Sequence, residues 1–320
     1  MIPNILIKNF KTIKELQFDC KRLNLFIGDA NTGKSNILEA FSLLNFHQEL
    51  SKFIRFHEIS HLFHEFDTTL RIEVSTGDIV SRGWVESDEF VIENSFDIES
   101  PFRSHYDNNG KFLRNFSNGQ IPAKVLSYRY NPNTVFAKSD KLFLEAPFGE
   151  NLPSVLLANK ELHSMVKTLL EDLGFKLLIK PFESSFEIIR ETNGSYLSFP
   201  LVTMSDTVKR IIYYLAIIKS NDKATILLEE PESNTFPFYT KALAEMIARN
   251  DANQYFIITH NSYLINSIIE KTPLSDLAVN LVYSENYETK ICPLSQTGIE
   301  NVLDFGSDVF LNFDKLLLAE

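Results

Sequence analysis

The chain has 320 residues and a formal net charge of −11, with 44% hydrophobic and 23% charged residues. That composition excludes long disorder, collagen and a disulfide scaffold, and the length is enough for one large domain or two small ones. The acidic balance argues against a protein that coats nucleic acid along its whole surface, though a local basic patch stays compatible with it. Two cysteines, Cys20 and Cys292, allow at most one disulfide and suit a reducing, cytoplasmic setting. No apolar stretch approaches the 18 or so residues of a membrane span, and MIPNILIKNF makes a poor signal peptide.

In chain order, 4–10, 13–18 and 23–27 read as strands. The third, LNLFI, is a continuous apolar run ending at a glycine, as a buried parallel strand would be. Apolar residues Ile37, Leu38, Phe41 and Leu44 then recur at helical spacing from Lys34 to about Glu49, and helical pattern is expected to continue, with a break, through Phe66. Strand-like segments follow at 69–75, 79–85 and 90–96. Residues 100–120 read as the least structured region and a candidate mobile loop or insertion.

Beyond it come a strand at 124–130, a helix over 153–173 stopped by Gly174, and strands at 175–179, 185–191 and 196–199. A helix over 205–219 puts Val208, Ile211, Ile212 and Leu215 on one face. From there the rhythm is strand 224–229, helix 237–249, strand 255–259 and helix 262–271, the alternation of a parallel sheet covered by helices. Two last strands, 280–284 and 289–293, precede a terminal helix over 308–318.

Glycine is scarce, 11 in the chain, so a fixed spacing between two of them is informative. Gly28-Asp29-Ala30-Asn31-Thr32-Gly33-Lys34-Ser35 fits G-x-x-x-x-G-K-[ST], between a strand and a helix. Gly28 and Gly33 let the backbone turn its N–H groups inward onto phosphate oxygens. The helix that starts near Lys34 offers its positive end to the same anion. Lys34 adds a charge at the β- and γ-phosphates, and Ser35 a hydroxyl for Mg²⁺. Downstream, the apolar strand ATILLE ends in Glu229-Glu230-Pro231. Its first carboxylate suits the Mg²⁺ side, its second a general base toward the attacking water, and Pro231 stops the strand there. One strand later, His260 stands where an imidazole reaches a γ-phosphate or the attacking water.

Together these segments resemble the ABC-type ATPase heads of the RecF, SMC and OLD group, in the branch labelled AAA-15 or AAA-21. ILIKNFKTIKEL resembles that group's first hairpin, GDANTGKSN its phosphate loop, EEPESNTFP its Walker B and D-loop, and ITHNSYLI its histidine switch. The resemblance implies an α/β P-loop fold, with a mixed β-lobe plus a parallel sheet flanked by helices. It implies ATP and Mg²⁺ at Gly28, Asn31, Thr32, Gly33, Lys34, Ser35 and Asn36, with the metal on Ser35 and Glu229 and catalysis by Glu230 and His260. It covers residues 2–50 and 200–270. The chain then reads as one head, with a phosphate-loop lobe over 1–150, a helical and signature region over 151–222, and Walker B, histidine switch and last strands over 223–320.

The matching signature stretch is TMSDTVKR, 203–210, in which Ser205 and Asp206 would contact ATP held by an opposite subunit. Ser205 is equally a good helix N-cap. Thr207 replaces the glycine of many relatives, which puts close backbone approach to the nucleotide in doubt. Arg129 resembles an arginine that follows an inner strand in this branch. No Q-loop glutamine can be placed; Gln48 and Gln120 are poor candidates.

OLD nucleases carry a further Toprim domain, which the 60 residues after His260 are too few to supply while also completing the sheet. The middle segment shows no heptads for a coiled-coil arm. A D…E-x-K pattern, Asp276 with Glu288 and Lys290, matches a metal-dependent nuclease, and equally an ordinary exposed strand. Lys8, Lys11, Lys14, Lys21 and Arg22, and again Arg103, Lys111 and Arg114, could touch a nucleic-acid backbone or form a solvated surface. The leading expectation is an ATP-sandwiched homodimer, or a higher even oligomer, that regulates a separate nuclease or toxin. By resemblance such heads occur in anti-phage systems such as Septu, PARIS or certain retrons. The alternatives are a RecF-like DNA-repair ATPase and the nuclease.

Overall fold

A computed structural model describes residues 1–95, 101–116 and 124–320. Strands β1 (Asn4–Phe10), β2 (Ile13–Asp19) and β3 (Leu23–Ile27) lead into helix α1 (Lys34–Ser42). Strands β4 (Ile72–Thr76), β5 (Ile79–Glu86), β6 (Glu89–Ser95), β7 (Phe102–Tyr106), β8 (Phe112–Phe116) and β9 (Val125–Tyr128) follow. Next come α2 (Leu152–Ala158), α3 (Lys160–Asp172), β10 (Lys176–Lys180), β11 (Ser185–Thr192), β12 (Ser195–Pro200) and α4 (Asp206–Ser220). The last third holds β13 (Thr225–Glu229), α5 (Pro237–Ala248), β14 (Gln254–Ile258), α6 (Ser262–Lys271), β15 (Leu277–Glu285), β16 (Glu288–Pro293), α7 (Gln296–Phe305) and α8 (Phe313–Ala319).

The chain divides into two compact units. The first comprises 1–127, 223–230 and 253–320, the second 128–222 and 231–252. In the first, one sheet runs β2-β1-β4-β5-β6-β7-β8 and the other β16-β15-β3-β14-β13-β9. Within the latter, β15, β3, β14 and β13 are parallel neighbours, as the strand–helix alternation predicts, and β16 is an antiparallel edge. β3 and β14 are buried along their whole length, which is why both read as nearly continuous apolar runs, with Asn24 and Gln254 the buried polar exceptions. Phe26, Phe41 and Phe256 meet at the centre of this unit's core, the last two rings 4.5 Å apart. The second unit holds the antiparallel sheet β10-β11-β12 and helices α2 to α5, with α4 packed on α2, α3 and α5.

Three expectations need correcting. Helix α1 ends at Ser42, not near Glu49. The backbone beyond it is claimed by the β7–β8 hairpin: Phe112 N–H donates to the Gln48 carbonyl, Leu50 N–H donates to the Gly110 carbonyl, and Phe46 packs edge-on against Phe102 and Phe112. Only isolated 3₁₀ turns, Leu50–Lys52, Ile59–Leu62 and His64–Phe66, continue the helical pattern. That same hairpin occupies much of the stretch expected to be irregular. Phe102, Ser104 and Tyr106 alternate inward, and Gly110 closes the turn at φ +76°. Residues 96–100 and 117–123, Gln120 among them, lie outside the described residues. Finally, the helix expected over 153–173 is two helices. Asn159 leaves the helical region and caps α3, its side chain accepting from Leu162 N–H at 3.0 Å.

His47, just past α1, is buried, stacked 3.7 Å from Phe53 and bonded to the Ser42 carbonyl. Burial, against that bond, pushes its pKa down to about 4. Between pH 6.5 and 4 the unfolded chain therefore binds a proton that the folded chain refuses. The contribution of His47 to stability is present above pH 6.5 and is lost as pH drops through that window, by about 3 kcal/mol at its foot. Urea unfolding at pH 7 and pH 4 should show this loss in the wild type and a flatter acid limb in His47→Gln.

Candidate functional site

The site follows from the level ends of three adjacent parallel strands. Ile258 of β14 lies opposite Glu229 of β13 on one side and Phe26 of β3 on the other. The residues that follow each rung emerge side by side at the carboxyl edge of the sheet, where open α/β sheets hold ligands. Thus the loop residues Ala30 to Gly33, the pair Glu229-Glu230 and His260 meet around one cavity of about 590 Å³, which Lys34, Ser35 and Asn36 also line.

The loop is fixed by its own residues. Asn31 and Gly33 take positive φ, +60° and +89°, and the Gly33 carbonyl accepts the Ile37 N–H that begins α1. The buried Lys34 ammonium folds back to donate to the Gly28 carbonyl at 3.0 Å and to the Asp29 carbonyl. Burial pulls its pKa below the ordinary lysine range, against the opposing pull of Asp29, Glu230 and Glu229. Thr32 Oγ1 ties the loop again, donating to the Asp29 carbonyl at 3.0 Å. A loop of this form at a helix N-terminus suits an anion.

Ser35 Oγ donates to Glu229 Oε1, although 194 residues separate them. A hydroxyl and a carboxylate on one spot form a hard-oxygen donor pair. That fits Mg²⁺, which takes few protein ligands and completes its shell with water and phosphate. Among the described residues no group of three or more His, Cys, Asp or Glu comes together as a metal cage.

Glu230 adopts φ +45°, a conformation costly for a non-glycine residue, and its N–H donates to the Ile258 carbonyl at 2.9 Å. The bend turns its carboxylate toward the His260 ring, Oε1 to Nε2 3.8 Å. His260 also lies 6.0 Å from the Phe310 ring. Burial first, then the nearby Lys34 charge, lowers the His260 pKa, while Glu230 and Asp29 oppose this. The net effect favours the neutral imidazole over the charged one.

Ser205 and Asp206 belong to the second unit. Ser205 caps α4, its hydroxyl accepting from Val208 N–H at 3.4 Å. Asp206 holds Arg210 at 3.0 Å and accepts from Tyr130 Oη at 2.9 Å. Arg129, in that unit too, donates its N–H to the Pro147 carbonyl.

The nuclease pattern is not brought together. Asp276 immediately precedes β15, whereas Glu288 pairs with Glu285 at the far end of that nine-residue strand, roughly 27 Å away. Asp276 accepts from Arg22 Nε, and Glu288 holds Lys290 at 2.7 Å. Two of the loop arginines have carboxylate partners as well: Arg103 with Glu93 at 2.6 Å, and Arg114 forked onto Glu89.

Four residues the motifs did not single out in this site stand around it: Thr12, Lys11, Glu39 and Arg55. Thr12 Oγ1 accepts from Asn36 Nδ2 at 2.7 Å and meets Thr289 Oγ1 at 2.6 Å. A second cavity, about 790 Å³, shares Thr12, Asn36 and Arg55 with the first and is lined by Phe56, His61 and Tyr287. The only sequence signal for these residues is the position of Lys11-Thr12 in the turn of the first hairpin.

This geometry defines a P-loop ATPase head. The chain matches the family model described as "AAA domain, putative AbiEii toxin, Type IV TA system" over residues 23–266, and it belongs to that family. Its fold is that of an SMC-type head. A structure described as the SMC head bound to the C-winged helix domain of ScpA aligns over 94% of this chain and 99% of its own, at 14% identity and TM-score 0.53. An SMC head with an extended coiled coil, bound to the C-terminal domain of ScpA derived from Pyrococcus furiosus, aligns over 95% and 98%, at 13% identity and TM-score 0.51. No curated protein matches the chain. Among the described residues no helix is long and apolar enough to cross a membrane.

Proposed function

We propose that the chain is the ATP-hydrolysing, regulatory subunit of a two-component system, in which the ATP state of paired heads controls a separate effector. The observation that carries the ATP chemistry is the meeting of the phosphate loop, Glu229, Glu230 and His260 in one cavity. The triphosphate lies in the cradle, with Lys34 and the loop N–H groups on its oxygens. The nucleoside extends past Thr12 and Asn36 into the larger aromatic cavity. Ser35 and Glu229 would hold Mg²⁺, which would supply neutralisation of charge on the phosphate oxygens. Glu230 removes a proton from the water that attacks the γ-phosphorus, and ADP leaves. His260 donates one hydrogen bond to the transferring group.

Each site is completed by Ser205 and Asp206 of a second copy, whose α4 N-terminus offers free N–H groups to the γ-phosphate. ATP then holds the pair together and hydrolysis releases it. The family's description as a putative toxin of a type IV toxin–antitoxin system supports a chain that works with a cognate partner, for which we propose an anti-phage setting.

The test uses the purified chain. Mg²⁺ plus a slowly hydrolysed ATP analogue should double its mass in light scattering, and Mg-ATP should be turned over without DNA cleavage. A mass unchanged at saturating nucleotide would overturn the sandwich, and strong DNA cleavage by the chain alone would overturn the regulatory role.

A further inference from the structure

Arg55 lies between α1 and β4 and belongs to no motif. Its Nε donates to Glu39 Oε1 at 2.7 Å, and its backbone N–H reaches the same oxygen at 3.3 Å. One guanidinium nitrogen, Nη2, donates to Glu229 Oε1 at 3.3 Å. The other oxygen of Glu39 is held by the Lys11 ammonium, which also donates to the Arg55 carbonyl at 2.6 Å. Four charges of alternating sign, Lys11, Glu39, Arg55 and Glu229, therefore run from the first hairpin turn to the end of β13, all within the first unit.

The members of this row are not equally fixed. The Glu39 side chain is 4% exposed and is bonded on both oxygens, so its charge stays where it is. Arg55 is 53% exposed and is held at one edge, free to turn if a better anion arrives. Its Nη2 and the Ser35 hydroxyl share one oxygen of Glu229, the oxygen that Ser35 marks as the metal side. A divalent cation there would meet a guanidinium already drawing on the same lone pairs, and the two positive charges repel.

We propose that Arg55 guards the cation position. It competes with a divalent cation for Glu229, and Glu39, clamped by Lys11, keeps it at that post. This rests on reading Ser35 and Glu229 as the metal-side pair. The guard also links the ligands. Arg55 lines both the phosphate cavity and the larger one beside it, so a phosphorylated ligand in either offers the guanidinium a new anion and frees Glu229. Nucleotide and cation then favour each other's binding by a common factor, as linkage requires. A lone cation is disfavoured, and the head is best loaded by the pair.

The probe is Mn²⁺ alone, followed by its free-ion EPR signal against the full chain without nucleotide. Arg55→Ala should bind Mn²⁺ about tenfold more tightly than wild type, the size expected from removing one partly exposed charge a few ångströms away. Arg55→Gln should do the same, which covers a packing failure in the alanine variant. Adding Glu229→Gln to Arg55→Ala should abolish the gain and so locate it. Mn²⁺ binding no tighter in both Arg55 variants, with thermal unfolding like wild type, would overturn the guard. ATP binding by the wild type is measured separately. Its failure would remove the ATPase reading, while the Mn²⁺ comparison would still decide the role of Arg55.

Discussion

Glu230→Gln is expected to lower ATP turnover by about 10²- to 10³-fold while leaving ATP bound, the range that loss of one general base produces. Glutamine has the same shape and still fits the bend at φ +45°, where the Glu230 N–H is anchored on the Ile258 carbonyl. What it lacks is a lone pair basic enough to take the proton from water. The cradle and the Ser35–Glu229 pair are untouched, so affinity should change little. ATP should accumulate in the variant and hold the paired state that hydrolysis would otherwise dissolve. Single-turnover assays with labelled ATP, alongside light scattering, read both outcomes. Glu229→Gln should behave differently. It removes charge from the metal side, so its defect should shrink as Mg²⁺ is raised, whereas the Glu230 defect should not. Unchanged turnover in Glu230→Gln would move the base elsewhere.

The parts of the site legible in the sequence are those whose chemistry forces local composition. A phosphate loop needs glycines at fixed places, and a ligand at the edge of a buried sheet needs polar residues just after apolar runs. Gly28 to Ser35, Glu229-Glu230 and His260 carry both marks. The end of α1 was not legible, because local periodicity favours helix beyond Ser42 and loses to hydrogen bonds with a hairpin some 60 residues later. Helix α7 was not among the expected elements, and the terminal helix expected over 308–318 forms only over Phe313–Ala319. Gly298 interrupts the first turn of α7, and only Ser295, whose hydroxyl caps the Gly298 N–H at 3.1 Å, marks its start. Arg55 had no signal at all. Its meaning arises when Glu229, 174 residues away, is folded against it.

The two loop glycines carry different constraints, and that difference predicts a large and unequal effect of alanine. A Cβ on Gly28 would lie 2.0 Å from the Val282 carbonyl oxygen. That oxygen is backbone of β15, a strand fixed by its pairing with β3, so no side-chain rotation relieves the clash. Gly28→Ala should therefore cost about 3 kcal/mol, the upper part of the ordinary range for overpacking. A Cβ on Gly33 would lie 1.9 Å from Thr289 Oγ1, a side-chain atom, but Gly33 also needs φ +89°. Trimming the neighbour helps with the first problem and not with the second. Gly33→Ala combined with Thr289→Ala should regain part of the stability lost by Gly33→Ala alone, whereas Thr289→Ala should recover nothing in the Gly28→Ala background. In both single variants the loop N–H groups are displaced from the phosphate oxygens, and turnover should fall by about 10²-fold. Chemical denaturation of the four variants and wild type separates the two effects. Recovery of stability without recovery of turnover in the Gly33 pair would mean that the left-handed bend, rather than room beside Thr289, is what aims the cradle.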